Sequence, residues 1–96
     1  MFSLNGWLMA NREPRGPSLM LAPEFECKSG LTMSIQAGGF HYCEPRNDIG
    51  PWKTVEVGFP SRELRTIRKY YEGGGVYARV PIDALERIIK RNGGPA

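Results

Sequence analysis

The side chains best suited to chemistry lie close together in residues 40–52. This segment holds the single histidine, one of two cysteines, one of two tryptophans and both signs of charge. His41 and Cys43 are two residues apart, so an extended chain would place them on one face. A nucleophilic thiol needs such a neighbouring base, but the spacing fits no cysteine-enzyme signature. We therefore expect structural roles for both residues and no catalytic residues in the chain.

Metal and cofactor sites are also not indicated. Structural zinc prefers Cys or His ligands in closely spaced pairs. One histidine and two separated cysteines, with Glu44 and Asp48, are a poor match to that pattern. The run Gly73–Gly75 lacks the lysine and hydroxyl residue of a phosphate loop and is expected to be a turn. The sequence thus predicts no metal and no cofactor.

The turn residues of the same segment indicate a shaped loop. Gly50 and Pro51 are expected to fix its path, and Asp48 to cap it by accepting bonds from the backbone. An Arg46–Asp48 bond would then hold its shape, with His41 as a further structuring residue.

A binding role for this loop is the alternative to a purely structural one. Arg46 and Trp52 are the residues that we expect it to present to a partner. In that interpretation the Arg46 guanidinium binds a carboxylate or a phosphate through two parallel N–H donors. His41, Tyr42 and Trp52 would form the wall beside it.

Period-two alternation predicts several short strands around this loop. The clearest is 31–37, whose alternate residues are apolar, and residues 25–28 precede it across a Ser29-Gly30 turn. Residues 53–59 and 76–80 alternate in the same way, with Val55, Val57 and Phe59 expected on one face. Residues 62–72 fit a helix capped by Ser61 or a strand paired with 76–80, and we favour the strand.

The sequence pattern indicates secondary structure more clearly at the C-terminal end of the chain than at the N-terminal end. Residues 81–91 carry an apolar stripe at helical spacing and are followed by Gly93-Gly94, which predicts an amphipathic helix. Residues 1–17 end in a run rich in Pro and Gly and are interpreted as an N-terminal arm with at most one short strand. Trp7 suggests that this arm docks, either on its own domain or on a second chain.

Together these patterns predict an α+β fold: a small antiparallel sheet of four to five strands, with a C-terminal amphipathic helix packed on one face. We expect an arm over 1–17 and a single domain over 18–96. One helix leaves the opposite face or an edge of the sheet open to a partner, and a homodimer is left open.

The charge is uneven along the chain. Residues 1–60 carry five Lys/Arg and six Asp/Glu, whereas residues 61–96 carry eight and four. A basic half attracts acidic partners, either a protein face or nucleic acid. It also contains tyrosines, which are enriched with arginine at protein interfaces. The residues expected to bind a partner there are Arg65, Arg68, Lys69, Tyr70 and Tyr71.

The compartment is inferred from what the sequence lacks. No window approaches the ~18 apolar residues of a membrane span, and the N-terminus is a poor signal peptide. Two cysteines do not make a disulfide framework. We expect free thiols and a cytoplasmic location, although a Cys27–Cys43 bridge is not excluded by the sequence.

From residue 33 to residue 94 the chain resembles a family of short bacteriophage and prophage proteins that carries no settled activity. The matching motifs are Ser34-Ile35-Gln36-Ala37, His41-Tyr42, Pro45-Arg46, Asp48, Gly50-Pro51, Val55-Glu56-Val57-Gly58-Phe59-Pro60-Ser61, Val76-Tyr77, Val80-Pro81 and Gly93-Gly94. The first 32 residues fall outside the resemblance.

The resemblance implies a small accessory protein acting in the bacterial cytoplasm. Such phage proteins, the anti-CRISPR proteins among them, often bind a host protein or ribonucleoprotein complex and block it by occluding a surface. Our leading hypothesis is therefore a non-enzymatic inhibitor of a bacterial defence complex. The alternative is a small nucleic-acid- or nucleotide-binding protein that uses the Arg/Lys/Tyr surface.

Overall fold

Short strands and two α-helices make up residues 2–96, the part of the chain that this computed structural model describes. In chain order the elements are α1 (Leu4–Asn11), β1 (Glu13–Pro14), β2 (Met20–Leu21), β3 (Phe25–Glu26), β4 (Thr32–Gln36), β5 (Thr54–Gly58), a 3₁₀ helix (Arg65–Tyr70), β6 (Tyr71–Gly73), β7 (Val76–Pro81) and α2 (Ile82–Arg91).

The main sheet is antiparallel, with strand order β3-β4-β5-β7-β6, and β1 and β2 form a separate pair. Central register pairs such as Ile35 with Val57 and Val55 with Val80 place apolar residues on one face. The alternation predicted for 31–37 is confirmed, because its apolar residues are all buried. The predicted α+β class is therefore confirmed.

Helix α2 packs on the apolar face of the sheet, as predicted. Its stripe of Ile82, Leu85, Ile88 and Ile89 is buried in the same cluster as the strand residues. Asp83 lies in the first turn and Lys90 and Arg91 in the last, where they suit the helix dipole. The helix ends before Gly93 and Gly94, whose positive φ angles turn the chain back toward β3.

The strand preferred for residues 62–72 is wrong over Arg65–Tyr70, which form the 3₁₀ helix. Leu64 and Ile67 are buried three residues apart. A strand would have placed Arg65 and Lys69 on the same face as Ile67 and buried two charges with it. Ser61 does not cap this helix, because its Oγ accepts the N–H of Thr32 at 2.9 Å. The hairpin with β7 is limited to β6.

The N-terminal segment that we interpreted as an arm folds against its own domain. Ser3 caps α1 by accepting the Gly6 N–H. Leu4 and Leu8, one helical turn apart, are fully buried in the sheet's core. Trp7 packs edge-on against Phe25, with ring centroids 4.9 Å apart. Within residues 2–17, only Glu13 and Pro14 belong to a strand, and that strand pairs with β2 outside the main sheet.

The second face of the sheet, which together with an edge was a predicted place for a partner, is partly covered by the chain's own loops. The Gln36 side chain exchanges two hydrogen bonds with the backbone of Ala22, at 2.8 and 2.9 Å. The backbone N–H of Arg79 donates to Tyr42 O at 2.9 Å. Residues 20–22 and 41–43 therefore lie over β4, β5 and β7. No helix in residues 2–96 combines the length and apolar run needed to cross a membrane.

Because α1 belongs to the core, Leu8→Ala is expected to lower the free energy of unfolding by about 2 to 5 kcal/mol through lost burial and a cavity. Urea denaturation measures the change. The neighbouring Met9→Ala removes a half-exposed side chain and should cost less than about 1 kcal/mol. Equal, small losses in both variants would show that the helix does not share the core.

Candidate functional site

The loop of residues 38–52 is held by a side chain from α1's end that sequence reasoning missed. The Arg12 guanidinium carbon lies 4.5 Å from the centroid of the Trp52 ring. Its nitrogens donate to Ala37 O at 3.3 Å, to Asp48 O at 2.7 Å and to Asp48 Oδ1 at 3.4 Å. Asp48 therefore pairs with the buried side chain of Arg12 and not, as we had expected, with Arg46.

Trp52 lies beneath the loop and cannot be presented to a partner as we expected. Only 2% of the residue is exposed. Its indole N–H donates to Asn47 O at 3.0 Å. The Asn5 side chain on α1 pairs with both backbone groups of Trp52, at 2.7 and 2.9 Å. A large apolar ring with its polar group satisfied is favoured inside the core, so Trp52 anchors the loop.

Asn47, and not the expected Asp48, caps the turn in this loop. Asn47 Oδ1 accepts the N–H groups of Ile49 and Gly50, at 3.0 and 3.1 Å. Asp48 instead reaches across the loop to the Gly39 N–H at 3.1 Å. Gly50 has φ 69°, and a Cβ there would lie 3.0 Å from the Trp52 ring. The exposed Pro51 follows in a cis peptide.

His41 joins three parts of the chain through its ring. Its Nδ1 lies 3.3 Å from Glu56 Oε1, and its Nε2 lies 2.9 Å from Met20 O. The bond to Glu56 raises the pKa of His41 despite its burial. The same bond lowers the pKa of Glu56, with help from the Tyr42 N–H that donates to Oε2 at 3.2 Å. The pair therefore favours a charged imidazolium against a carboxylate.

Cys43 is not arranged as a nucleophile. Both ring nitrogens of His41 are directed at Glu56 and Met20, and the thiol bonds the backbone of Gly38 at 3.3 Å. Burial raises the pKa of the Cys43 thiol, which disfavours the reactive thiolate. Both cysteines are free thiols. Within residues 2–96 no group of three His, Cys, Asp or Glu side chains is placed to hold a metal.

An open groove of about 660 Å³ lies between residues 59–64, the 3₁₀ helix and the β6–β7 hairpin. Its apolar lining comes from the rings of Phe59, Tyr71 and Tyr77 and from the buried Leu64. The Tyr71 and Tyr77 rings meet edge to face at 5.0 Å. Its charged lining is Arg62, Glu63 and Arg68, and Arg68 pairs with Glu63. We call this surface the aromatic groove.

The aromatic groove brings together only part of the predicted basic surface. Arg68 and Tyr71 line it. Arg65 and Lys69 are exposed on the same 3₁₀ helix, and the Lys69 ammonium lies 5.4 Å from the Tyr70 ring centroid. Tyr70 is half-buried and packs on the core, so it offers less surface than expected.

Phe59 is the groove residue that sequence reasoning misplaced. It was expected beside Val55 and Val57 in the core, but 69% of it is exposed. Its φ of 51° ends the strand and turns the side chain outward. The only sequence signal is its place between Gly58 and Pro60, two residues that interrupt strands.

Arg46 is exposed, as predicted, but its neighbours differ from the expected ones. Its guanidinium carbon lies 5.8 Å from the Tyr42 ring centroid, and that of Arg79 lies at the same distance. His41 and Trp52, the other residues expected beside Arg46, are both buried. The residues here come from the loop and from β7.

No family model, curated protein or solved structure matches this chain. The resemblance to phage proteins drawn from the sequence motifs therefore stays a prediction.

Replacing the loop anchor tests how the loop is held. Arg12→Met should lower the free energy of unfolding by roughly 2 to 3 kcal/mol, since Ala37 O loses a charged donor. Arg15→Met, at an exposed position, is the control and should change it by less than about 0.5 kcal/mol. Urea denaturation followed by tryptophan fluorescence measures both. Similar values for the two variants would contradict the anchoring role.

The His41–Glu56 pair predicts a pH window of greatest stabilisation. The raised pKa of His41 stabilises the fold fully below its ordinary value of 6.5, and this contribution is lost as pH rises through the folded value. The lowered pKa of Glu56 stabilises above its ordinary 4.5 and is lost as pH falls through its folded value. The difference in unfolding free energy between wild type and His41→Gln should be largest between these two values.

Denaturant unfolding across a pH series measures that difference. Glu56→Gln should remove the same pH dependence, because the imidazolium then lacks its carboxylate. A wild-type-minus-variant difference that stays constant from pH 4 to pH 9 would contradict the ion pair.

Proposed function

We propose that this chain is a non-enzymatic binding protein that holds a segment of a partner protein in the aromatic groove. The observation that carries the proposal is Phe59, a large apolar side chain that is 69% exposed at the groove with φ 51°. Both its exposure and its backbone conformation are unfavourable for the isolated chain. Contact with a partner would remove the first of these costs.

The left-handed conformation of Phe59 is held by specific contacts. A bulky residue with positive φ is a genuine outlier that costs about 1 to 2 kcal/mol. The Phe59 N–H donates to Gly75 O at 2.8 Å, and the ring lies directly on Gly75. A Cβ at Gly75 would come within 2.6 Å of that ring. Strain that the surrounding structure maintains in this way supports a functional role.

The charge of the groove supports an acidic partner segment. Arg62 and Arg68 line it. Glu63 pairs with Arg68, and the Arg62 guanidinium donates to Ser29 O at 2.8 Å. Arg65 and Lys69 add exposed positive charge on the neighbouring helix. An apolar anchor inserted among Phe59, Tyr71 and Tyr77 would give the central contact typical of an interface hot spot. Carboxylates flanking that anchor would meet the arginines at the rim.

A bacterial defence complex is the partner class that we propose first. Its support is the motif resemblance to small phage proteins, which as a group often act by occluding a host surface. In that mechanism the partner's own ligand is excluded from the surface that the aromatic groove covers. An acidic, apolar protein face is compatible with such a target, whether it is a protein or a ribonucleoprotein.

Phe59→Gly separates binding from folding. Glycine adopts positive φ without strain, which offsets its greater chain entropy in the unfolded state. The free energy of unfolding is therefore expected to change by less than about 1 kcal/mol. Capture of the partner from host lysate should fall more than about tenfold, because a central aromatic anchor contributes 2 kcal/mol or more. Quantitative mass spectrometry of the captured proteins measures it.

The matched control is Phe40→Ala, which removes an aromatic that is 62% exposed outside the aromatic groove. It should leave capture within about twofold of wild type. A photo-crosslinking residue at Tyr71 should attach the same captured protein, and expression of Phe59→Gly should leave the host's defence intact where wild type blocks it. Equal capture by wild type and Phe59→Gly would overturn the proposed surface.

A further inference from the structure

A second surface, separate from the aromatic groove, gathers two arginines around one tyrosine. Tyr42 is 45% exposed. The guanidinium carbons of Arg46 and Arg79 each lie 5.8 Å from its ring centroid. Both arginines are themselves exposed. One exposed ring therefore contacts two positive charges.

A β-bulge in β7 directs the Arg79 side chain toward this surface. The register of β5 and β7 shifts between Val55 and Val57, where β7 carries an extra residue. Arg79 has φ 52° at this bulge. Its N–H is bonded to Tyr42 O at 2.9 Å, so strand and loop are fixed to each other there. Bulges often redirect a side chain beside a functional site.

The charges of these arginines are not compensated by a salt bridge. Among residues 2–96 the ion pairs are Arg12–Asp48, His41–Glu56 and Arg68–Glu63. Glu56, the carboxylate at the base of the loop, is already occupied by His41 and by the Tyr42 N–H. The surface around Tyr42 thus carries two guanidiniums with their donors available.

We propose that Tyr42, Arg46 and Arg79 form a binding site for a phosphate monoester. Guanidinium groups present paired N–H donors that match the oxygens of a phosphate. Two such groups balance the near-dianionic charge of a monoester at neutral pH. A carboxylate would neutralise only one of them. The Tyr42 ring holds the two forks by cation–π contact and limits their motion before the ligand arrives.

A phosphate monoester can come from a mononucleotide or from the 5′ end of a nucleic-acid strand. Binding of AMP, inorganic phosphate and a 5′-phosphorylated short single strand is therefore compared by NMR titration at low and moderate salt. The same strand without its 5′ phosphate is the fourth probe. AMP binding without strand binding identifies a nucleotide ligand, and binding of the phosphorylated strand identifies a strand end.

Arg46→Gln and Arg79→Gln should each weaken the binding of AMP or of the phosphorylated strand by more than about tenfold. Arg87→Gln, an exposed position on α2, is the control and should stay within about twofold. Thermal unfolding of each variant shows whether it is folded. If the bulge makes Arg79→Gln unstable, Arg46→Gln decides the question, because Arg46 lies on an exposed loop.

Three results would overturn the site: no binding of any phosphorylated probe, binding that both arginine variants retain, or equal binding of the strand without its 5′ phosphate. Phe59→Gly should leave phosphate binding unchanged. Failure of this site and failure of the aromatic groove are therefore seen in different variants.

Discussion

The Arg12 side chain lies between the indole of Trp52 and the carboxylate and carbonyl of Asp48, with only 7% of it exposed. It is one of the contacts through which the N-terminal helix and its C-cap hold the 38–52 loop. Asn5, two turns earlier, holds the Trp52 backbone from the same helix. Because a buried guanidinium is unfavourable without partners, its three acceptors determine one position for the loop.

The two proposed surfaces share a physical origin in strand irregularities, one at the end of β5 and one at a bulge within β7. Phe59 and Arg79 are the non-glycine residues with positive φ among residues 2–96. The first directs a ring outward at the end of β5, and the second directs a guanidinium outward from a bulge in β7. Each conformation is unfavourable by about 1 kcal/mol or more, so the well-packed core formed by β4, β5, β7, α1 and α2 stabilises both. Regular strands would have placed these side chains according to the pleat alone.

Prediction from sequence succeeded where burial alone determines structure. The alternation in 31–37 and the stripe in α2 leave one way to bury the apolar residues, so strand, helix and their packing were predicted correctly. It failed over Arg65–Tyr70, where a helical period and a strand period each bring some apolar residues to one face. The two structures differ in which charged side chains would be buried with them. It failed again for the Arg46–Asp48 bond, because the true partner is 36 residues away in sequence.

The sequence by itself determined the α+β class, the position of the C-terminal helix and the concentration of positive charge in residues 61–96. Those properties depend on local period and composition, which a single chain displays directly. Only the tertiary structure decided that Trp52 is an anchor, that Phe59 is exposed and that Arg79 joins Arg46 at Tyr42. Each of those outcomes depends on long-range contacts or a backbone irregularity, and neither follows from the identity of neighbouring residues.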